Sequence, residues 1–392
     1  MTIETKKNSS SFVTKEWNVT GQKEVSYSVQ IITNIFNVNN KSLIKNYSTD
    51  FKKVIRRIIF VDGNFYNLYS KTILNYFEKN KISHKIIPLP IEESTKNIDY
   101  LNVILKHVDD FGLSRRDEPI IVIGGGVLTD IVGFAASIYR RGVPYIKVAT
   151  TLLCAIDSCV GIKTSINHFG RRNRLGTYFG PLISYIDLSL IKSLPNDEVS
   201  SALGEIIKIA LIKNKKLFNN IYESSNKLLD TNFYKTNIGS KIINESIFDM
   251  LEELHENFEE KILKRCVDFG HTFSPVIEMR SLEDDSVSSL KHGEAVCLDV
   301  LMSSCISFNR RLLTKQELNK IFAISKKINM PINHPYIQNV DYLMESLLDA
   351  TKHRGGSQNL PLPIKIGNYE FFNDIRLADV ENGIKTYKKL SN

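Results

Sequence analysis

No run of apolar residues in this sequence approaches the ~20 needed to span a bilayer, which excludes a transmembrane helix. The opening residues, MTIETKKNSSSFVTKEWNV, lack the apolar core of a secretory signal, and a cytoplasmic location is the expectation. Cysteine is sparse. The five present (Cys154, Cys159, Cys266, Cys297 and Cys305) form no CxxC pair and no rhythm, which argues against a disulfide framework and for reduced, buried thiols. Internal repeats and low-complexity segments are absent, and so is any HExxH metal motif. The formal charge is +8, yet the lysines are scattered among asparagine and isoleucine, and KNKK at 213–216 reads as a solvated helix end. That pattern argues against nucleic acid and suits an enzyme that attracts an anionic small molecule.

What is present is an ordinary globular composition, 42% apolar and 24% charged. At 392 residues the chain exceeds what one hydrophobic core usually organises, so two domains are expected. Residues 1–50 are polar and irregular, with one candidate strand in EVSYSVQII, and read as an N-terminal extension. Over 51–190, short apolar strands (RRIIFVDGN, SHKIIPLP, EPIIVIGGG, VPYIKVAT) alternate with helical stretches such as TKNIDYLNVILKHVDDFG. Such alternation predicts an α/β domain with parallel strands. Pro195 followed by Asn196 and Asp197 is a helix start. Beyond it apolar residues recur at helical spacing, so 191–392 is expected to be mostly helical, with the catalytic cleft between the halves.

Several residues carry chemistry. IIVIGGGVLTD runs an apolar strand through Gly124, Gly125 and Gly126 into a helix, which is either a phosphate cradle at a helix N-terminus or a plain tight turn. Thr129 stands where a GxGxxG pattern needs glycine. Asp62 in VDGN is a candidate ribose partner or a turn residue. Glu205 and Lys208 share one face of a helix. A carboxylate with two imidazoles suits a catalytic metal, and His271 and His292, each with glycine beside it to admit a metal-bound substrate, are the candidates. His84, His107, His168, His255 and His334 are read as structural. The segment AIDSCVGIKTSINHFGRRNRLGTYF concentrates Asp157, Lys163, Asn167, Arg171, Arg172, Asn173 and Arg174. It is either a phosphate-binding cluster or an exposed basic loop.

Six ordered segments, GGGVLTDIVGFAASIYRRG, TTLLCAIDSCVGIKT, NRLGTYF, LGEIIK, DFGHTFSP and HGEAV, together resemble the sugar phosphate cyclases, the superfamily that includes 3-dehydroquinate synthase, over residues 55–370. The resemblance implies a dehydroquinate synthase-like fold of the α/β class. A Rossmann-like NAD-binding domain is followed by a mostly α-helical metal-binding domain, in a homodimer acting on a small-molecule sugar phosphate. It implies zinc on Glu205, His271 and His292, with cobalt a possible replacement. It implies NAD contacts at Asp62, Glu93, Lys96, Gly125, Gly126, Asp130, Thr150 and Thr151, with Lys163 beside them. Substrate contacts follow at Asp157, Lys163, Asn173 and Lys208, and Arg141 reaches the phosphate of a neighbouring subunit's substrate. Arg172 stands where dehydroquinate synthases have lysine.

Two departures select a branch. Where those synthases read NLGHTFGH, this chain has Asp268 and Pro275, and Lys264 replaces their upstream arginine. An anionic Asp268 with a weakened cationic partner disfavours a substrate carboxylate. With His353 of KHRGGSQNLPLP, the pattern resembles the branch that cyclises sedoheptulose 7-phosphate to a valiolone. Asp268 and His353 then align substrate hydroxyls. The implied reaction is transient oxidation by NAD, phosphate elimination, re-reduction and intramolecular aldol closure. The alternatives are dehydroquinate synthase itself, the desmethyl-4-deoxygadusol-forming branch, a glycerol dehydrogenase-type enzyme and a catalytically silent binding protein.

Overall fold

Residues 2–6, 16–21, 24–48, 54–234 and 236–391 are described by the structure, a computed structural model. An antiparallel hairpin, β1 (Thr2–Lys6) and β2 (Glu16–Thr20), precedes β3 (Ser28–Ile32). The chain then alternates β4 (Arg56–Asp62), α1 (Gly63–Lys79), β5 (Ser83–Leu89), α2 (Ile98–Asp110), β6 (Ile120–Gly124), α3 (Gly126–Ile138) and β7 (Tyr145–Ala149). The short α4 (Leu152–Ile156) leads into a hairpin of β8 (Lys163–His168) and β9 (Arg171–Tyr178), and then β10 (Ile183–Asp187).

Six of these strands form one parallel sheet in the order β3-β10-β7-β6-β4-β5. Its strands are buried on both faces, which is why they read as continuous apolar runs rather than alternating ones. In β4, Ile58 and Phe60 point to the side covered by α2 and α3, while Ile59 and Val61 point to the side covered by α1. Each such side chain, fully buried, contributes roughly 1.5–3 kcal/mol.

The segment expected as an N-terminal extension supplies more than polar chain. Its candidate strand is β3, paired along its length with β10, and Ile35, Phe36, Leu43 and Ile44 are buried under the sheet. The expected boundary at 50/51 lies outside the described residues. The basic segment after β7 is a hairpin rather than a loop: exposure alternates along β9 except at Asn173 and Arg174, both exposed, and Gly170 turns the chain at φ 66°.

The second half contains α5 (Leu188–Ile191), α6 (Asn196–Lys213), α7 (Lys215–Thr231), α8 (Asn237–Leu254), α9 (Ser274–Glu283), α10 (His292–Asn309), α11 (Lys315–Lys327) and α12 (Val340–His353). A hairpin, β11 (Leu360–Lys365) with β12 (Asn368–Phe372), and α13 (Leu377–Ser391) complete it. Helices α6 and α10 are buried from Val199 to Ile212 and from Ala295 to Ser307, as expected of helices apolar all round. Among the described residues, no helix is long and apolar enough to cross a membrane, and all five cysteines are buried thiols.

Candidate active site and metal centre

Because α6 is buried, the polar side chains it carries need partners inside the protein. Lys208 Nζ lies 2.6 Å from Glu205 Oε2, and both residues are buried. The other carboxylate oxygen, Oε1, is buried without a hydrogen-bond partner. It faces His292 Nε2 at 3.4 Å and His271 Nε2 at 3.7 Å. One ligand atom from each of these three residues lies within 4.8 Å of the others. A buried, ionised oxygen with no donor, facing two ring nitrogens, fits a divalent cation with an open coordination position.

Main-chain contact sets this geometry. A Cβ on Gly293 would stand 1.8 Å from Ser201 O, and one on Gly204 2.5 Å from Gly293 O, so α6 and α10 touch beside Glu205 and His292. Gly270, at φ 73°, packs where a Cβ would meet Val296 at 3.0 Å. The expectation that glycine beside each histidine admits substrate is therefore corrected: these glycines are required by helix and loop packing. The turn carrying His271 is fixed by Asp299 of α10. Its Oδ2 accepts from the N–H groups of Thr272, Phe273 and Ser274 at 2.8, 2.6 and 3.0 Å.

Glu278, Arg265 and Arg354 went unread in the sequence, and they support residues that were read. Glu278 of α9 accepts from His292 Nδ1 at 3.0 Å and pairs through its other oxygen with Arg172 of β9. Arg172 Nε also lies 3.3 Å from Glu93. Asp268 is held by Arg265 Nη2 at 2.6 Å and Arg354 Nε at 3.2 Å. Lys264 sits over the Phe371 ring at 4.9 Å, and the guanidinium at Asp268 comes from the next residue, Arg265. The missed signal in VIEM was an acidic residue on the buried side of a helix.

The electrostatics follow from this packing. Burial alone would raise the Glu205 carboxyl, but Lys208 and the two imidazoles hold it well below the usual range. Burial and then Lys208 push His271 well down. Burial opposes charge on His292 too, yet Glu278 and Glu205 prevail and lift it to about 10. Asp157 is open to solvent, yet desolvation by the surrounding protein and then Glu205 raise it, with Lys208, Lys163 and His292 pulling the other way.

The expected nucleotide contacts fall at the carboxyl edge of the parallel sheet, where open α/β sheets bind ligands. Gly125 is the N-cap of α3, whose first turn has neither a side-chain cap nor an acidic residue, leaving its amides for an anion. A Cβ on Gly125 would come 3.2 Å from Thr151 and one on Gly126 3.4 Å from Ser158, so the cradle is space that other residues would fill. Thr150 donates its N–H to Gly124 O at 3.1 Å, and Thr151 caps α4. Asp62 caps α1 by accepting from Phe65 N at 2.9 Å. Lys96 is buried between Asp130 (2.7 Å) and Asn173 Oδ1 (2.6 Å), which also accepts from Ser165. Asn167 bonds Glu93 at 2.8 Å and the Asn173 N–H at 2.9 Å, stapling the β8–β9 hairpin to this edge. These residues fit a dinucleotide.

Some expected residues are exposed to solvent. Lys163 is 54% exposed and paired with Glu260. Arg141 is exposed beyond the far end of α3 at φ 64°. His353 ends α12, 60% exposed and 3.4 Å from Asp349, while its neighbour Arg354 turns inward. Of the histidines read as structural, His334 caps a turn at Tyr336 and His84 bonds Ile82 O.

Known proteins match along most of the chain. Residues 86–201 match the 3-dehydroquinate synthase N-terminal family model, and residues 202–353 the C-terminal one. The chain is 39% identical to a 2-epi-5-epi-valiolone synthase of Streptomyces albus, covering 95% of this chain and 91% of that protein. A demethyl-4-deoxygadusol synthase of Trichormus variabilis is 31% identical, over 95% and 90%. The solved 2-epi-5-epi-valiolone synthase of Streptomyces hygroscopicus subsp. jinggangensis, with NAD+ and Zn2+ bound, superposes with a TM-score of 0.88 at 34% identity. That match covers 95% of this chain and 99% of the other.

Proposed function

The chain belongs to the 3-dehydroquinate synthase-like sugar phosphate cyclases, and from that premise we propose that it is a carbon–oxygen lyase converting sedoheptulose 7-phosphate to 2-epi-5-epi-valiolone and phosphate, with NAD and zinc or cobalt. The observation that carries the reading is the convergence of Glu205, His271 and His292 around an unsatisfied carboxylate oxygen. When bound, NAD supplies a reversible hydride acceptor and the cation a Lewis acid at a substrate hydroxyl, so phosphate is lost without net oxidation.

The chain's own residues do the rest. Lys208 keeps Glu205 ionised and its Oε1 available as a ligand. Lys163 brings positive charge to the phosphate; its present partner Glu260 is one anion exchanged for another. Lys96 and Ser165 use the acceptor oxygen of Asn173, leaving its –NH2 as a donor to a phosphate oxygen. Asp157 accepts from a substrate hydroxyl. Both oxygens of Asp268 already hold arginines, and Arg354 spends further donors on Gln358 O and Thr272 Oγ1. A substrate carboxylate would meet the anion of Asp268 here, with both neighbouring arginines already engaged by it, which favours a carboxylate-free substrate. A cytoplasmic homodimer completes the proposal, with Arg141 serving the neighbouring subunit.

The test is incubation with NAD+ and Zn2+ and either sedoheptulose 7-phosphate or the carboxylate-bearing substrate of dehydroquinate synthase. Phosphate release is followed, and the product is identified by NMR. Release from the first alone, with a saturated cyclic ketone formed, is expected. An enone product reassigns the chain to the demethyl-4-deoxygadusol branch. Stoichiometric NADH without phosphate overturns the reading in favour of an alcohol dehydrogenase.

A further inference from the structure

We propose that Glu278, held by Arg172, is a positioning residue that sets the His292 ring for cation binding; this rests on the metal-site reading above. Glu278 is 3% exposed. Its Oε2 lies 3.0 Å from His292 Nδ1, and its Oε1 pairs with Arg172 Nη1. An ionised carboxylate can only accept, so Nδ1 keeps its hydrogen and Nε2 is the nitrogen that gives up its proton when a cation binds. Nε2 is the nitrogen that faces Glu205 Oε1 at 3.4 Å.

Arg172 makes this carboxylate more than a support. Its Nη1 also lies 3.4 Å from His292 Nδ1. With Glu278 present, guanidinium and imidazole share one carboxylate. Without it, the guanidinium is a donor whose neighbouring acceptor is Nδ1, and that bond would move the ring hydrogen to Nε2, where a cation must bind. Glu278 therefore orients the ring and also keeps Arg172 from capturing the wrong nitrogen. The charge on Glu93, 3.3 Å from its Nε, favours keeping the arginine where it is. Lysine has no planar fork with which to hold Glu93 and Glu278 together, which gives the arginine at this position a reason. Carboxylate partners of ligating histidines are worth about 10–100-fold in metal affinity.

The test uses the full chain, stripped by a chelator and titrated with Zn2+ or Co2+ against a competing chelator, without NAD or substrate. Only protein whose far-UV circular dichroism matches the parent is compared. E278A is expected to bind both metals about 10–100-fold more weakly, with a changed Co2+ absorption spectrum. E278Q, which keeps the side-chain shape, is expected between E278A and the parent. E278A/R172A should recover part of the lost affinity, since the competing donor is gone. Parent-like affinity and spectrum in E278A and E278Q overturn the proposal, and so does a double variant no better than E278A. A parent that takes up no stoichiometric metal, or an H271A variant that binds as the parent does, sinks the metal-site reading itself.

Discussion

At the scale of single residues, Asp299 shows how much of a metal site lies outside its ligands. One carboxylate oxygen accepts three consecutive N–H groups behind His271, and the other accepts from Ser303 at 2.9 Å. D299A leaves those buried donors unpaired, at a cost of about 3 kcal/mol or more. The expected result is a lower Tm together with reduced metal content by elemental analysis. A variant that loses stability and keeps full metal occupancy would show that the His271 turn holds itself. Glu205, His271 and His292 were legible because each sits in a motif with recognisable neighbours. Glu278 and Arg354 were not, because their partners Arg172 and Asp268 lie 106 and 86 residues away in the chain. No spacing rule reaches such distances.

Elements bring those residues into range. The crossing of α6 and α10 leaves no space for a side chain at Gly293, so G293A forces two backbones apart and is expected to cost about 3 kcal/mol or more. G126A is the contrast: its Cβ meets Ser158 at 3.4 Å, an ordinary contact. It should melt near the parent while binding NAD+ more weakly, as read by fluorescence titration. The C-terminal α13 is docked by a different device, Arg310 holding both oxygens of Asp379 at 2.9 and 3.0 Å. The Arg310 hydrogen bonds depress the Asp379 carboxyl. Its contribution is therefore full above the unfolded carboxyl range and is lost as pH falls through the lowered folded value. The Tm gap between parent and D379N should narrow as pH drops below about 4. Strands β4 to β7 and helices α1 to α3 could be read from alternating apolar runs. The β8–β9 hairpin was hidden because arginines and asparagines fill its exposed positions, and charge density masked a period of two.

At the scale of the molecule, the two halves are not separate bodies joined by a hinge peptide alone. The large helical core also takes in Ala149, Leu152, Ala155 and Ile186 from the α/β half. The proposed dimer can be tested at the same scale by mixing two inactive variants, R141A and K208A. If Arg141 serves the neighbouring subunit, hybrids regain one working site, and about a quarter of all sites become active. No recovery after subunit exchange would mean that Arg141 acts within its own subunit.

The pairing of β3 with β10 has a consequence for how the chain is made. The strand that emerges early from the ribosome binds only to one that emerges last in its sheet, at Ile183–Asp187. At cellular synthesis speeds the wait is on the order of ten seconds. Throughout that interval β3 has no strand to pair with, and the nucleotide-binding half cannot be sealed before the first residues of the metal-binding half are about to follow.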